Sequence, residues 1–203
     1  MSGTPATNWT VMPPGRNDTS EGSLGFVIKS ALAKMQTVTL VKVVAVQGGT
    51  GPVGTVDVQP LVNLVSGAGQ GQEHGTIKGL PYMRMQGGVA AIVMDPKPGD
   101  IGICAFASRD ISSVKANKAP SNPGSNRRFA WSDGMYLGGT LNGAPQHLIT
   151  FADDGVHITT PLTIFLEGNV VHTGTFISNG KDVGSDHAHS GVLTGTGETG
   201  PPV

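Results

Sequence analysis

From Val156 to Ser178 the chain alternates between apolar and polar side chains. The even positions include Val156, Ile158, Leu162, Ile164, Leu166, Val170 and Phe176, while His157, Thr159, Thr163, Glu167, Asn169, Thr173 and Thr175 make the odd set mostly polar. Residues i and i+2 of an extended backbone share a face, so the pattern predicts a β ribbon with one greasy side. An ordinary strand runs about 5–6 residues. Asp153-Asp154-Gly155, Glu167-Gly168-Asn169 and Ser178-Asn179-Gly180 therefore read as turns that punctuate the ribbon. Phe165, Val171 and Ile177 fall on the polar side and break the alternation.

Upstream the spacing changes. Leu24, Ile28, Ala31, Leu32 and Met35 lie on one helical stripe, with Ser23 in place as N-cap. Thr37–Gln47 is dense in Val and Thr and predicts a strand ended by Gly48-Gly49. Val53–Val65 predicts a second strand region broken at Pro60, and 67–75 a polar Gly/Gln loop. Ile77–Met85 and Val89–Met94 read as strands separated by Gln86-Gly87-Gly88. The turn Asp95-Pro-Lys-Pro-Gly-Asp100 leads into the apolar run Ile101–Ala107. Short strands in this number, with one helix, suit a small Greek-key barrel such as an OB-fold. Ser108–Arg128 changes character, with a short helix at Ile111–Lys118 and a linker at Pro120–Asn126. Met135–Leu141 and Gln146–Phe151 then predict strands leading into the ribbon.

Composition sharpens the picture. Gly 31 and Pro 14 in 203 residues, with charged residues at only 13%, fit a turn-rich β protein rather than long helices or charged tails. A net charge of −1 gives no electrostatic reason to expect nucleic acid. The start, Met1 to Ser20, lacks the apolar stretch of a signal peptide, and no apolar run approaches the roughly 18 residues of a spanning helix. The single cysteine, Cys104, cannot close an intrachain disulfide and reads as small buried filler rather than a nucleophile.

A ribbon this narrow has almost no interior, and isolated two-stranded pieces are marginal in water. Three chains intertwined about an axis give each even residue a threefold-related partner and pair the strand edges between subunits. The C-terminal segment points the same way. His187 and His189 lie at i and i+2, so both imidazoles face one side of an extended strand. Two histidines fall short of the four to six ligands a transition metal takes, whereas three copies supply six nitrogens. Imidazole suits iron, copper, nickel and zinc about equally, so another transition metal is an alternative to iron, though six nitrogens disfavour zinc's usual four-coordination. A saturated six-nitrogen cage has no open position, so such a metal is structural. Asp186 and Ser190 are candidate partners for the ring N–H groups.

The barrel pattern, Pro98-Gly-Asp-Ile-Gly102 and Ala107-Ser-Arg-Asp-Ile111 precede a Gly-rich β tail that ends Asp186-His-Ala-His-Ser-Gly191 and Gly197-Glu-Thr-Gly-Pro-Pro202. Over roughly residues 24–203 this resembles the central spike, or baseplate assembly protein V, family of contractile-tailed phages and phage-tail-like particles. The His-x-His-Ser-Gly terminus is its most specific part. The resemblance implies a mainly β homotrimer: an N-terminal OB-fold barrel, an intertwined triple-stranded β-helix, and an apex where three His-x-His pairs hold one iron ion. That role carries over onto His187 and His189 only.

The resemblance further implies a place at the virion tail tip, contacts with baseplate hub and tail tube proteins, and mechanical puncture of the host outer membrane when the sheath contracts. Synthesis in the host cytoplasm without a signal peptide, and no enzymatic activity, are expected with it. The expected organisation is a flexible arm at 1–22, an OB-fold-like domain at 23–110, a connector at 111–134, the trimeric β-helix at 135–183 and the apex at 184–203.

Other chemistry-bearing residues have blander readings. His172 shares the inward parity, which offers either a second axial ion site or a cluster holding water or an anion. His147 and His157 read as surface residues. Glu73-His74 sits in a loop that constrains little, and Gly155 makes Asp153-Asp154 a turn rather than a glycosidase acid pair. Arg127-Arg128 reads as solvated or interfacial charge, with anion binding as the sharper alternative. Two competing functions are a trimeric tail-fibre-like receptor- or glycan-binding protein and a small metalloenzyme built on His187 and His189. An aromatic content of only 5% speaks against the first.

Overall fold

A computed structural model describes residues 20–48, 54–66 and 68–184, together with 191 and 195. The chain is mainly β. It divides into two compact units, Met1–Ala144 and Pro145–Val203.

In the first unit, helix α1 (Ser20–Leu32) starts upstream of the expected cap, so Ser23 lies inside it. Residues 20–22 of the expected arm thus belong to the helix, and 1–19 lie outside the described residues. Leu24, Ile28 and Leu32 of the predicted stripe are exposed in this single chain. The strands follow as β1 (Val38–Gln47), β2 (Thr55–Pro60), β3 (Leu64–Val65), β4 (Gly71–Gln72), β5 (Ile77–Pro81), β6 (Met85–Gly87), β7 (Ala90–Ile92) and β8 (Ile101–Phe106). A short helix α2 (Ser112–Asn117) and a 3-10 turn at Trp131–Asp133 precede β9 (Gly134–Gly139).

Five of these strands form a curled antiparallel sheet in the order β5-β2-β1-β8-β9. Its two outer strands meet where Tyr82, just past β5, bridges Tyr136 of β9, and the Met83 N–H donates to the Tyr136 carbonyl at 2.8 Å. The small sheets β3-β4 and β6-β7 are hairpins beside it. Part of the expected polar loop at 67–75 is therefore strand β4.

Alternation builds the core. Val41 and Val43 of β1, Val56 and Val58 of β2, Leu80 of β5, Cys104 and Phe106 of β8 and Tyr136 of β9 are buried together with Tyr82. Burying each such side chain contributes roughly 1.5–3 kcal/mol, so the sheet interior, not the exposed α1 stripe, carries this unit's stability. A bulge at Val44 shifts the β1–β2 register between Val43 and Ala45. Beyond it the inward parity changes from odd to even, and Val46 rather than Ala45 packs on the core. Gly102 permits the close approach of β8 and β9: a β-carbon there would meet the Gly138 carbonyl oxygen and the Tyr136 hydroxyl.

The strand Gly134–Gly139, expected at the root of the C-terminal ribbon, instead pairs with β8 from Phe106↔Gly134 to Gly102↔Gly139. Gly134 and Tyr136 face inward while Met135 and Leu137 face out, and the strand covers what would otherwise be a free β8 edge. Residues 107–133 are thus an excursion between two neighbouring strands, and the first unit runs on to Ala144.

In the second unit β10 (Leu148–Ala152) pairs with β11 (Gly155–Thr159), and β12 (Ile177–Ser178) pairs with β13 (Lys181–Asp182). Residues 160–176, between the two hairpins, enter none of the described strands.

Candidate functional site

The second unit is built from turns placed where the alternation is punctuated. Asp153 and Asp154 connect Ala152 to its partner Gly155, whose φ of 146° suits glycine. Asn179 and Gly180, with φ of 50° and 76°, form the left-handed pair of a type I′ turn joining Ser178 to Lys181. The ladder continues one step further through the Val183 N–H to the Phe176 carbonyl at 2.8 Å. Gly168, with φ of 121°, marks the third expected turn.

Between the hairpins the chain covers nothing of itself. Every residue from 161 to 183 is exposed in this single chain. Leu166 is 71% exposed on the even set, and Phe165 and Val171 are 80% and 93% exposed on the odd one. Ile164, Val170 and Phe176 join them. Monomeric soluble proteins rarely leave large contiguous apolar surface open, and such surface marks an interaction site.

The histidines divide into two groups. His187 and His189, the expected metal ligands, lie outside the described residues, as do Asp186 and Ser190. His172 is exposed and stacks at a tilt on Phe176, with centroids 5.4 Å apart, so the two share a side as their even parity requires. The His147 Nδ1 lies 2.7 Å from the Thr160 hydroxyl, bracing the open end of the β10–β11 hairpin. The His157 Nε2 lies 2.9 Å from an Asp154 carboxylate oxygen across the turn. Asp154 is thus engaged with His157 at the tip of an exposed hairpin. Among the described residues no group of three or more His, Cys, Asp or Glu is placed to hold a metal.

The remaining candidates fall in the first unit. Gln59 Nε2 donates to a Glu73 carboxylate oxygen at 3.3 Å and to the His74 carbonyl at 3.1 Å, while the His74 ring leans on Trp131. Glu73 and His74 have no hydrogen bond to each other among those described. The Cys104 thiol is fully buried, and burial pushes it up to about 12, which removes it as a nucleophile at neutral pH.

Two ion-pair networks carry no periodic sequence signal. Arg84 grips Asp95 with Nε and Nη2 at 2.8 and 2.7 Å, and donates to the Tyr82 hydroxyl at 3.0 Å. Arg84 precedes β6 and Asp95 follows β7, so the pair clamps the base of that hairpin. The Arg84 guanidinium draws the Asp95 carboxyl below its usual range. Arg127 meets Asp133 through Nε at 2.7 Å and Nη2 at 2.9 Å, and reaches Asp110 at 2.7 Å. Both carboxylates are buried. Hydrogen bonds from Ser112, then Ser125 and the charge of Arg127, hold Asp110 at about 2; Arg127 and the Ile111 N–H lower Asp133.

The fold thus defines a mainly β chain whose first unit has its own core and whose second unit has an exposed apolar ribbon. No protein-family model and no curated protein matches it.

Proposed function

We propose that the chain is a structural, non-enzymatic spike subunit: a homotrimer at the tip of a contractile tail that punctures the host outer membrane mechanically. One observation carries the reading. The stretch 160–176 exposes Leu162, Ile164, Phe165, Leu166, Val170, Val171 and Phe176 and enters no strand among the described residues. Two further copies wound about a common axis would cover the even set, Leu162, Ile164, Leu166, Val170 and Phe176, at roughly 1.5–3 kcal/mol each, and would pair backbone groups that enter no described strand. A prism cross-linked at every level resists buckling, which is the property that axial force demands.

The OB-fold reading of the first unit rests on strand connection. Three strands in sequence (β1, β2, β5) lie side by side, β8 and β9 add on the far side of β1, and the Tyr82–Tyr136 bridge brings the outer strands together. This order supports the reading of the curled sheet as a partly open five-stranded Greek-key barrel. In this account the barrels form the ring that docks on hub and tube proteins.

His187 and His189 from three chains would hold one iron ion at the apex. Imidazole nitrogen suits iron, and six such donors leave no position for substrate. The ion would supply a cross-link where three narrow strands have no room for a hydrophobic core. Elemental analysis of purified protein tests this: one iron per three chains is expected, lost in the His187→Ala plus His189→Ala variant while the first unit's sheet persists. Iron retained by that double variant, or absent from the unaltered protein, would count against the apex.

A further inference from the structure

The excursion 107–133 carries three guanidiniums, and only one is spoken for. Arg127 is forked onto Asp133 and also reaches Asp110, whereas neither Arg109 nor Arg128 has an ion-pair partner among the described residues. All three line an open cavity of about 670 Å³ together with Gly124, Ser125 and Asn126. The cavity wall is held from below. The Ser125 hydroxyl donates to Asp110 at 2.7 Å, and the Ser112 N–H donates to the same carboxylate at 2.8 Å. The Ile111 N–H donates to Asp133 at 3.1 Å. At Gly124 a β-carbon would collide with the Ser112 hydroxyl, so the loop lies close against the start of α2. Arg127, Asp110 and Asp133 are therefore occupied in shaping the cleft, and three cations stand against two carboxylates there.

The geometry points to an anion site in this cleft, in which Arg109 and Arg128 hold a phosphate-bearing ligand with a polar body. Guanidinium forks match the oxyanion faces of phosphate. A doubly charged phosphate uses two unpaired guanidiniums where a carboxylate needs one. The cavity is larger than a bare ion and its walls are non-aromatic and, Pro123 and Gly124 apart, polar, which suits a small hydroxylated ester and offers a nucleobase no stacking face. The ester can be a free solute or a lipid headgroup.

Calorimetric titration of the full chain with glycerol phosphate, alongside co-sedimentation with vesicles of phosphatidylcholine with or without phosphatidic acid, distinguishes these sources. Binding is expected to weaken roughly tenfold in Arg109→Gln and in Arg128→Gln. It should fall further in the double variant and stay unchanged in Lys34→Gln, which lies outside the cleft. Neither arginine makes a described structural bond, so circular dichroism should match the unaltered protein. Binding of the soluble ester assigns the site to a free ligand. Binding confined to phosphatidic acid vesicles, with the same arginine dependence, assigns it to a headgroup. Binding in neither arm, or binding indifferent to both arginines, overturns the site.

Discussion

Gly102 sits where β8 and β9 press together, and the added β-carbon of Gly102→Ala would meet the Gly138 carbonyl oxygen and the Tyr136 hydroxyl. Neither can swing away easily, because one is backbone and the other belongs to a buried ring. Overpacking of this kind costs about 1–3 kcal/mol, to be read as a lowered urea midpoint. Gly75→Ala, with nothing near its β-carbon, should stay within about 0.5 kcal/mol of the parent.

A second residue-scale consequence concerns acid. Asp110, at about 2, and Asp133 and Asp95, also lowered, bind protons less readily folded than unfolded. Their contribution is therefore present in full above the ordinary carboxylate value of 3.8 and is lost as pH falls below it, for Asp110 toward about 2. Urea midpoints measured from pH 5 down to 2 should drop across that window. Arg127→Gln should lower the midpoint at pH 5 and flatten the drop; an unchanged slope would show that Arg127 does not hold Asp133 and Asp110 down. At this scale legibility was uneven. Cys104 as filler follows from its place in a short apolar run. Arg127, Asp110 and Asp133 come together across 17 and 6 residues of irregular chain, which no periodicity encodes.

The elements were legible where one chain supplies both partners. The Val- and Thr-rich stretch gave β1, the run after Asp100 gave β8, and Asn179-Gly180 gave a two-residue hairpin turn. Two features were not. The bulge at Val44 switches the inward parity within a strand, and its cause lies in pairing with β2 rather than in β1's own sequence. The strand Gly134–Gly139 reads the same whether it ends a barrel or begins a ribbon, and only the otherwise free edge of β8 decides. The alternation through 160–176 tells which side chains share a face but not which chain provides the cover. This makes a parity test possible. Ile164→Asp and Leu166→Asp, on the even set, should break the assembly into single chains in size-exclusion chromatography with light scattering. Thr173→Asp, on the odd set, should leave its mass unchanged. Equal effects on both sets would remove the case for one inward face.

At the scale of the molecule the two units differ in kind. Met1–Ala144 contains a contiguous core of Val, Leu, Tyr, Cys and Phe side chains within one sheet. Among its described residues Pro145–Val203 has two short hairpins joined by an exposed stretch, and every residue from 161 to 183 is exposed. A lone chain with that much apolar surface open is expected to associate, and the threefold bundle proposed above would bury a single inward side. The proposed iron apex, hub contacts and puncturing role all depend on that bundle. Sedimentation equilibrium of the full chain at micromolar concentration measures it directly. One species with the mass of three chains is expected, and a stable monomer would overturn the trimer.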